Sequence, residues 1–356
     1  IAIVTGKATA LNEDDAPVDV GADKFLSMCR LTGRPQQNIC RKDQQFLYFA
    51  LRNAQHQVEL ITEDDIIELN ALKNLDVVYF AGEWVNNRAI EKLDAWVQAG
   101  GVLYASTGLG IRNQYGEDEV GMLKLLGLKS ANLRKNLYHV RPLLELPLAE
   151  PVDTITFAAP WRSPTDAADT GARSVVAAKI DAIAFRQSLT PAGDDVQVLG
   201  RWNDGSPAVT LRVHGKGKAF AVGTAAGATW LKTALRPIPW ARGGEVNLYN
   251  PTDFSPAATA LVRMGIDAAD VAQQVECSSA CVEALLLDGK AGTLVTLVNW
   301  TNEKHVGDLN VRVKMKQAPR EVFSVARQAK LEFTFNDGVL EFATGVDDAD
   351  FVILKL

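Results

Sequence analysis

Two adjacent hydroxyls, Ser106 and Thr107, end the apolar stretch Val102-Leu-Tyr-Ala105, and Gly108 and Gly110 follow at once. A hydroxyl on a Gly-rich turn after a short buried strand is where many hydrolytic and acyl-transferring sites put their nucleophile. Such a hydroxyl is inert until a base takes its proton. No Cys stands on this turn, and His139 and His214 are isolated in the sequence. The residues favour a tight turn capping a strand over a catalytic triad. Gly108-x-Gly110 also resembles part of a phosphate-cradling loop. The third glycine and the ribose-binding acid are missing from their places, and no Gly-Lys-Ser/Thr occurs.

Among the carboxylates, Glu83 follows the buried-looking strand 75–81 in Tyr-Phe-Ala-Gly-Glu-Trp and has Trp84 beside it, a pairing that sugar sites use. No second acid facing it can be named, so Glu83 reads first as a polar residue of a cleft or subunit contact. Arg112 and Asn113, just past the Gly-rich turn, read as contact residues, as does Trp240 in a long loop. Trp161, Trp202, Trp230 and Trp240 sit in loops or at edges by context, with burial in a core as the alternative. Metal ligands are sparse. The four histidines are far apart, Glu63-Asp64-Asp65 suits a helix N-cap, and Asp347-Asp348-x-Asp350 suits a solvated turn before the last strand. No catalytic residue, metal or cofactor is assigned.

Four cysteines allow the disulfides Cys29–Cys40 and Cys277–Cys281, and with them an exported protein; four reduced thiols are the alternative, so the compartment stays open. The net charge is −6 with Lys and Arg scattered, which argues against nucleic acid as a partner. No apolar run approaches the roughly 20 residues that cross a bilayer. The sequence starts at Ile1 inside a strand-like run, which leads us to expect a removed leader or a longer parent polypeptide.

Stepping from these residues to the elements that hold them, 1–128 alternates strand and helix signals. Strands are expected at 1–5, 58–62, 75–81 and 102–106, and helices at 42–55 (with Asp43 in the first turn), 88–99 and 117–126. Repeated β-α units with short links predict a doubly wound, mostly parallel sheet. From 129 to 225, Pro- and Asp-punctuated strands (154–158, 174–178, 196–202, 208–213, 219–224) are expected to extend that sheet at its edge. Residues 226–272 carry helices at 229–235 and 256–264 around a long loop. Residues 273–356 show seven short strands, which predict a small β-sandwich. The expected domains are 1–272 and 273–356.

The order of parts carries a resemblance. An α/β domain shaped like a class I glutamine amidotransferase, without its nucleophile, is built around LDAWVQAGGVLYAS. The hairpins RWNDGSPAVTLRVHGKGKAFAVGT follow, and then an all-β tail with GTLVTLVNWTNE. Over about 1–225 and 273–356 this resembles the C-terminal half of family 42 β-galactosidases of the glycoside hydrolases. The resemblance implies a flavodoxin-like, amidotransferase-like trimerisation domain followed by a β-sandwich. It also implies self-association as a homo-oligomer such as a trimer, a catalytic barrel before Ile1, and carbohydrate as the substrate class. The barrel carries that family's catalytic glutamates, so none transfers to this chain. The Cys-bearing stretch 20–45 and the loop 236–256 have no counterpart in the resemblance. Two alternatives remain: a carbohydrate-binding module using the 80–87 and 107–113 loops, and a hydrolase with an atypical site at Thr107 or Glu83.

Overall fold

In the computed structural model the residues described are 1–15, 39–135, 146–157, 179–235, 251–290, 292–301 and 303–356. Cys29, Trp161, Trp240, His139 and the expected strand 174–178 lie outside them, and so does the Cys29–Cys40 pairing. The chain divides into two compact units. The first comprises the described residues of Ile1–Tyr48, Glu59–Pro239 and Phe254–Asp270; the second takes in Phe49–Val58, residues 251–253 and Val271–Leu356.

The first unit begins with β1 (Ala2–Thr5), α1 (Lys7–Asp15), α2 (Ile39–Asn53, whose residues from Phe49 onward belong to the second unit), β2 (Glu59–Thr62) and α3 (Glu63–Glu68). β3 (Val77–Ala81), β4 (Trp84–Val85), α4 (Asn87–Ala99), β5 (Val102–Ser106), β6 (Arg112–Asn113) and α5 (Gly121–Leu125) come next. Then follow β7 (Leu128–Lys135), β8 (Asp153–Phe157), β9 (Lys179–Ala182), β10 (Phe185–Pro191), β11 (Val196–Arg201), β12 (Pro207–His214), β13 (Gly217–Val222), α6 (Ala226–Lys232) and α7 (Pro256–Ala269).

Nine strands form one mixed sheet in the order β2-β1-β3-β5-β13-β12-β11-β8-β9. The first five are mutually parallel, and the rest continue antiparallel. The hairpin β12–β13 therefore does more than extend an edge: β13 pairs parallel with β5 and completes the parallel set. β7 and β10 leave the sheet and pair only with each other. Alternation along the strands buries both faces. Val4, Phe80, Leu103 and Ala221 pack in one core with Ile90, Leu93 and Val97 of α4. On the other face the hydroxyls of Tyr79 and Tyr104 donate to the carbonyls of Val262 and Leu261 in α7 (2.7 and 3.1 Å).

Local expectations are corrected in several places. α1 was not expected, because Lys-Ala-Thr-Ala-Leu-Asn has little apolar periodicity. The helix expected at 117–126 shrinks to α5, because 112–118 folds back through a bridge between Arg112 and Asp118. The N-cap of α3 is Thr62, not the acids after it. Thr62 and Asp65 form a reciprocal capping box, while Glu63 is buried and accepts from the backbone N–H groups of Ala8 and Asn86 (3.1 and 2.6 Å). Trp202 and Trp230 are core residues, at 2% and 1% exposure. The indole of Trp202 donates to Gln187 O, and that of Trp230 to Thr259 Oγ1.

The second unit holds β14 (Val275–Cys277), β15 (Val282–Gly289), β16 (Gly292–Asn299), β17 (Val306–Lys314), β18 (Glu321–Ser324), β19 (Ala329–Leu331), β20 (Phe333–Asn336), β21 (Val339–Val346) and β22 (Ala349–Lys355). Two antiparallel sheets, β14-β17-β21-β20 and β15-β16-β22-β18-β19, share one core of Val282, Val295, Val311, Val313, Leu340, Phe342, Val352 and Leu354. The single expected strand 331–335 is two strands that belong to different sheets. Cys277 and Cys281 are free thiols, as is Cys40. Cys277 is held in β14 opposite Val311, with its N–H on Gln55 Oε1 (2.6 Å). Cys281 lies beyond the loop, where its Sγ meets Asn53 Nδ2 and Thr252 O. Both thiols are free, with Cys277 held by the β14 ladder and the Cys281 sulfur turned to Asn53 and Thr252, so the expected Cys277–Cys281 bridge does not form.

Candidate functional site

The carboxyl ends of β1, β3 and β5 meet where the strand order reverses, the usual ligand crevice of an open α/β sheet. Four consecutive residues after β5 have positive φ: Thr107 (+53°), Gly108 (+108°), Leu109 (+58°) and Gly110 (+59°). For the β-branched Thr107 this is a strained conformation that its surroundings must impose. They do so with hydrogen bonds from Thr107 N to Thr224 O, Leu109 N to Ser106 O and Gly110 N to Gly82 O. The side chain of fully buried Gln187 adds two more, accepting from Gly108 N (3.1 Å) and donating to Gly108 O (3.2 Å). Gly108 is also sterically required: a Cβ there would lie 2.6 Å from the Cα of Glu83.

The hydroxyl on this turn is not open to a substrate. Thr107 and Asp43 are both fully buried, and Thr107 Oγ1 donates to Asp43 Oδ2. Asp43 also accepts from the N–H groups of Ala228 (2.6 Å) and Gly227. Because α2 starts at Ile39, Asp43 lies in its second turn facing inward, rather than in the first turn as the sequence suggested. Burial pushes its carboxyl up to about 7, against the three donors that hold it down.

Beside the turn, β4 and β6 pair in parallel, setting Trp84 opposite Arg112 and Val85 opposite Asn113. This register brings the 80–87 and 107–113 loops together. Glu83 is 5% exposed and lies between two cations, Arg112 Nε at 3.5 Å from Oε1 and Lys135 Nζ on Oε2. Lys135 also stands 5.5 Å over the ring of Trp84. Trp84 is itself buried, and its carbonyl accepts from Thr9 Oγ1. Asn113 is committed to its own loop, accepting from the N–H groups of Tyr115 and Glu117 and donating to Glu117 Oε2. Among the described residues of the expected contact set, Arg112 is the one with substantial side-chain exposure, at 41%, and it also reaches Gly116 O and Asp118.

Several members of this cluster are not recognisable in the sequence. Glu13 is buried at the start of α2, where it accepts from Cys40 N and Arg41 N (2.7 and 3.2 Å), and burial raises its carboxyl. Cys40 Sγ lies 3.8 Å from Thr107 O, and burial, with Glu13 and Glu83 nearby, pushes its thiol well up. Lys135, Asp43 and Gln187 come from three distant stretches, β7, α2 and β10, and only tertiary packing gathers them around the turn after β5.

Among the described residues no group of three His, Cys, Asp or Glu is placed to hold a metal ion. Asp350, in the acidic run near the C-terminus, is buried and accepts from Ser324 Oγ and Ala326 N, while Asp347 pairs with His305.

No protein-family model matches the sequence, and no curated protein does. In three dimensions the chain is similar to Gan42B, a GH42 β-galactosidase from G. stearothermophilus, at 12% identity and TM-score 0.60, covering 100% of this chain and 40% of that one. The β-galactosidase from Bacillus circulans sp. alkalophilus matches at 13% identity and TM-score 0.55, over 88% of this chain and 37% of the other. Alpha-L-fucosidase isoenzyme 2 from Paenibacillus thiaminolyticus matches at 12% identity and TM-score 0.52, over 91% and 47%. The chain thus spans about 40% of the length of these β-galactosidases, and what it shares with them is the fold.

Proposed function

We propose that this chain is the accessory, subunit-assembling portion of a β-galactosidase-like protein that acts on carbohydrate, with the chemistry residing outside it. In this reading the first unit is an amidotransferase-like domain of trimerisation type, and the second is its supporting β-sandwich. The observation that carries the reading is the condition of the turn after β5. It keeps the strained geometry that presents a nucleophile, yet its hydroxyl is buried on Asp43 and the neighbouring Glu83 is bound to Arg112 and Lys135. A carboxylate buried between two cations is, like a buried hydroxyl, closed to a substrate. The fold shared with β-galactosidases over the length of this chain supports the same reading.

Hydrolysis of nitrophenyl β-galactoside by the purified chain, together with its mass by sedimentation equilibrium, tests the proposal. The expected result is no turnover above a heat-treated control and a homo-oligomeric mass. Turnover abolished by Glu83→Gln, or a monomer at every concentration, would overturn it.

A further inference from the structure

The opposite end of the large sheet carries a second concavity. At the amino ends of β3, β5 and β13 a cavity of about 450 Å³ is lined by Lys73, Asp76, Trp96, Lys216 and Lys218, with the last turn of α7 as one wall. This volume lies within the range of about 300–1,000 Å³ typical of small-molecule sites. Every residue of its wall is described.

Its shape depends on one close approach. The turn between β12 and β13 presses on the end of α4 so tightly that a Cβ at Gly217 would lie 2.1 Å from Val97 O and 2.2 Å from Gly101 O. From that seat Lys216 N and Lys218 N donate to the carbonyls of Gln98 and Gly101 (3.0 and 3.2 Å). Lys218 Nζ donates to Ala268 O in the last turn of α7 (2.7 Å). Three of the carbonyls at these two helix ends, those of Gln98, Gly101 and Ala268, therefore already carry donors. Lys73 and Lys216 are exposed and form no ion pair with any described residue. Three ammonium groups against the one carboxylate of Asp76 leave the cavity cationic. Trp96 is fixed as part of the wall. Its Nε1 donates to Leu75 O (3.2 Å), and its ring lies against Gly101, where a Cβ would sit 2.2 Å from Cε2.

We propose that this cavity is a binding site for a monoanionic sugar acid, independent of the function proposed above. The sugar carboxylate meets Lys73 and Lys216, ring hydroxyls donate to Asp76, and the apolar sugar face lies on the indole of Trp96. Inorganic phosphate offers no apolar face to Trp96, so it lacks the contact that a sugar ring adds to the carboxylate.

Titration of the ¹⁵N-labelled chain with galacturonate, galactose and inorganic phosphate tests this by amide shifts. The expected result is galacturonate shifts confined to residues around 73–76, 96–102 and 216–218, with galactose and phosphate each weaker by about tenfold or more. Lys73→Gln and Lys216→Gln should each weaken galacturonate by about tenfold, whereas Lys92→Gln on the exposed face of α4 should not. Four results overturn the proposal: no shifts with galacturonate, galactose binding equally well, phosphate binding equally well, or both lysine variants binding like the unsubstituted chain.

Discussion

Asp43 makes the stability of the first unit depend on pH in a direction opposite to that of most carboxylates. It is fully buried, and its three donors, Thr107 Oγ1, Ala228 N and Gly227 N, offset burial only in part, so its carboxyl titrates near 7 rather than at the ordinary 3.8. Between those values the folded chain holds a proton that the unfolded chain has released. Stability from this group is therefore complete below about pH 4 and is lost as pH rises through 7. At 1.36 kcal/mol per unit, the loss is about 4 kcal/mol in total and about 3 kcal/mol between pH 5 and 8. Asp43→Asn removes the titration and turns an amide Nδ2 toward N–H donors, which costs about 1–3 kcal/mol at pH 5. Urea unfolding of both proteins from pH 5 to 8 gives the comparison. Burial raises Glu13 and Glu63 as well, with the same sign, so the quantity to follow is the gap between the two proteins. The stability of the unsubstituted chain relative to the variant should fall by about 3 kcal/mol toward pH 8, which closes or reverses the gap. A gap that stays constant across the range refutes the argument.

Gly108→Ala should destabilise by about 3 kcal/mol or more, since φ is +108° and the added Cβ would lie 2.6 Å from Glu83 Cα; an unchanged urea midpoint contradicts this. Gln187→Leu leaves both the N–H and the C=O of Gly108 without their side-chain partner, a cost of about 2–5 kcal/mol measurable in the same unfolding experiment. Phe342→Ala should cost the sandwich about 3–5 kcal/mol, read as a shift in its thermal midpoint. Cys277 and Cys281 should both take up iodoacetamide after unfolding without reductant; alkylation that appears only after reduction would restore the disulfide reading.

The contrast between legible and hidden features follows from range. Runs such as Val-Val-Tyr-Phe-Ala and Val-Leu-Tyr-Ala-Ser are wholly buried strands, and continuous apolar character marks them without any partner being known. Gly100 after α4 and Ser255 before α7 announce helix ends, because caps act within one turn. The turn at 107–110 was visible for the same reason, its hydroxyls and glycines being adjacent in sequence.

What surrounds that turn was not visible, because no local rule couples residue 107 to 43, 187 or 135. Asp43 looked like an ordinary acid near a helix start, and its burial depends on α2 beginning four residues before it. Lys135 ends a strand that could have joined the main sheet but pairs with β10 instead, which carries its ammonium to Glu83. The sequence alone determined the wholly buried strands, the β-α alternation and the Gly-rich turn, all products of short-range backbone preference and hydrophobic period. Only the tertiary structure decided that β13 lies parallel to β5, that Glu83 is bound between two cations, and that Thr107 is buried on Asp43. Those outcomes depend on which distant surfaces exclude water together, and that is settled by packing.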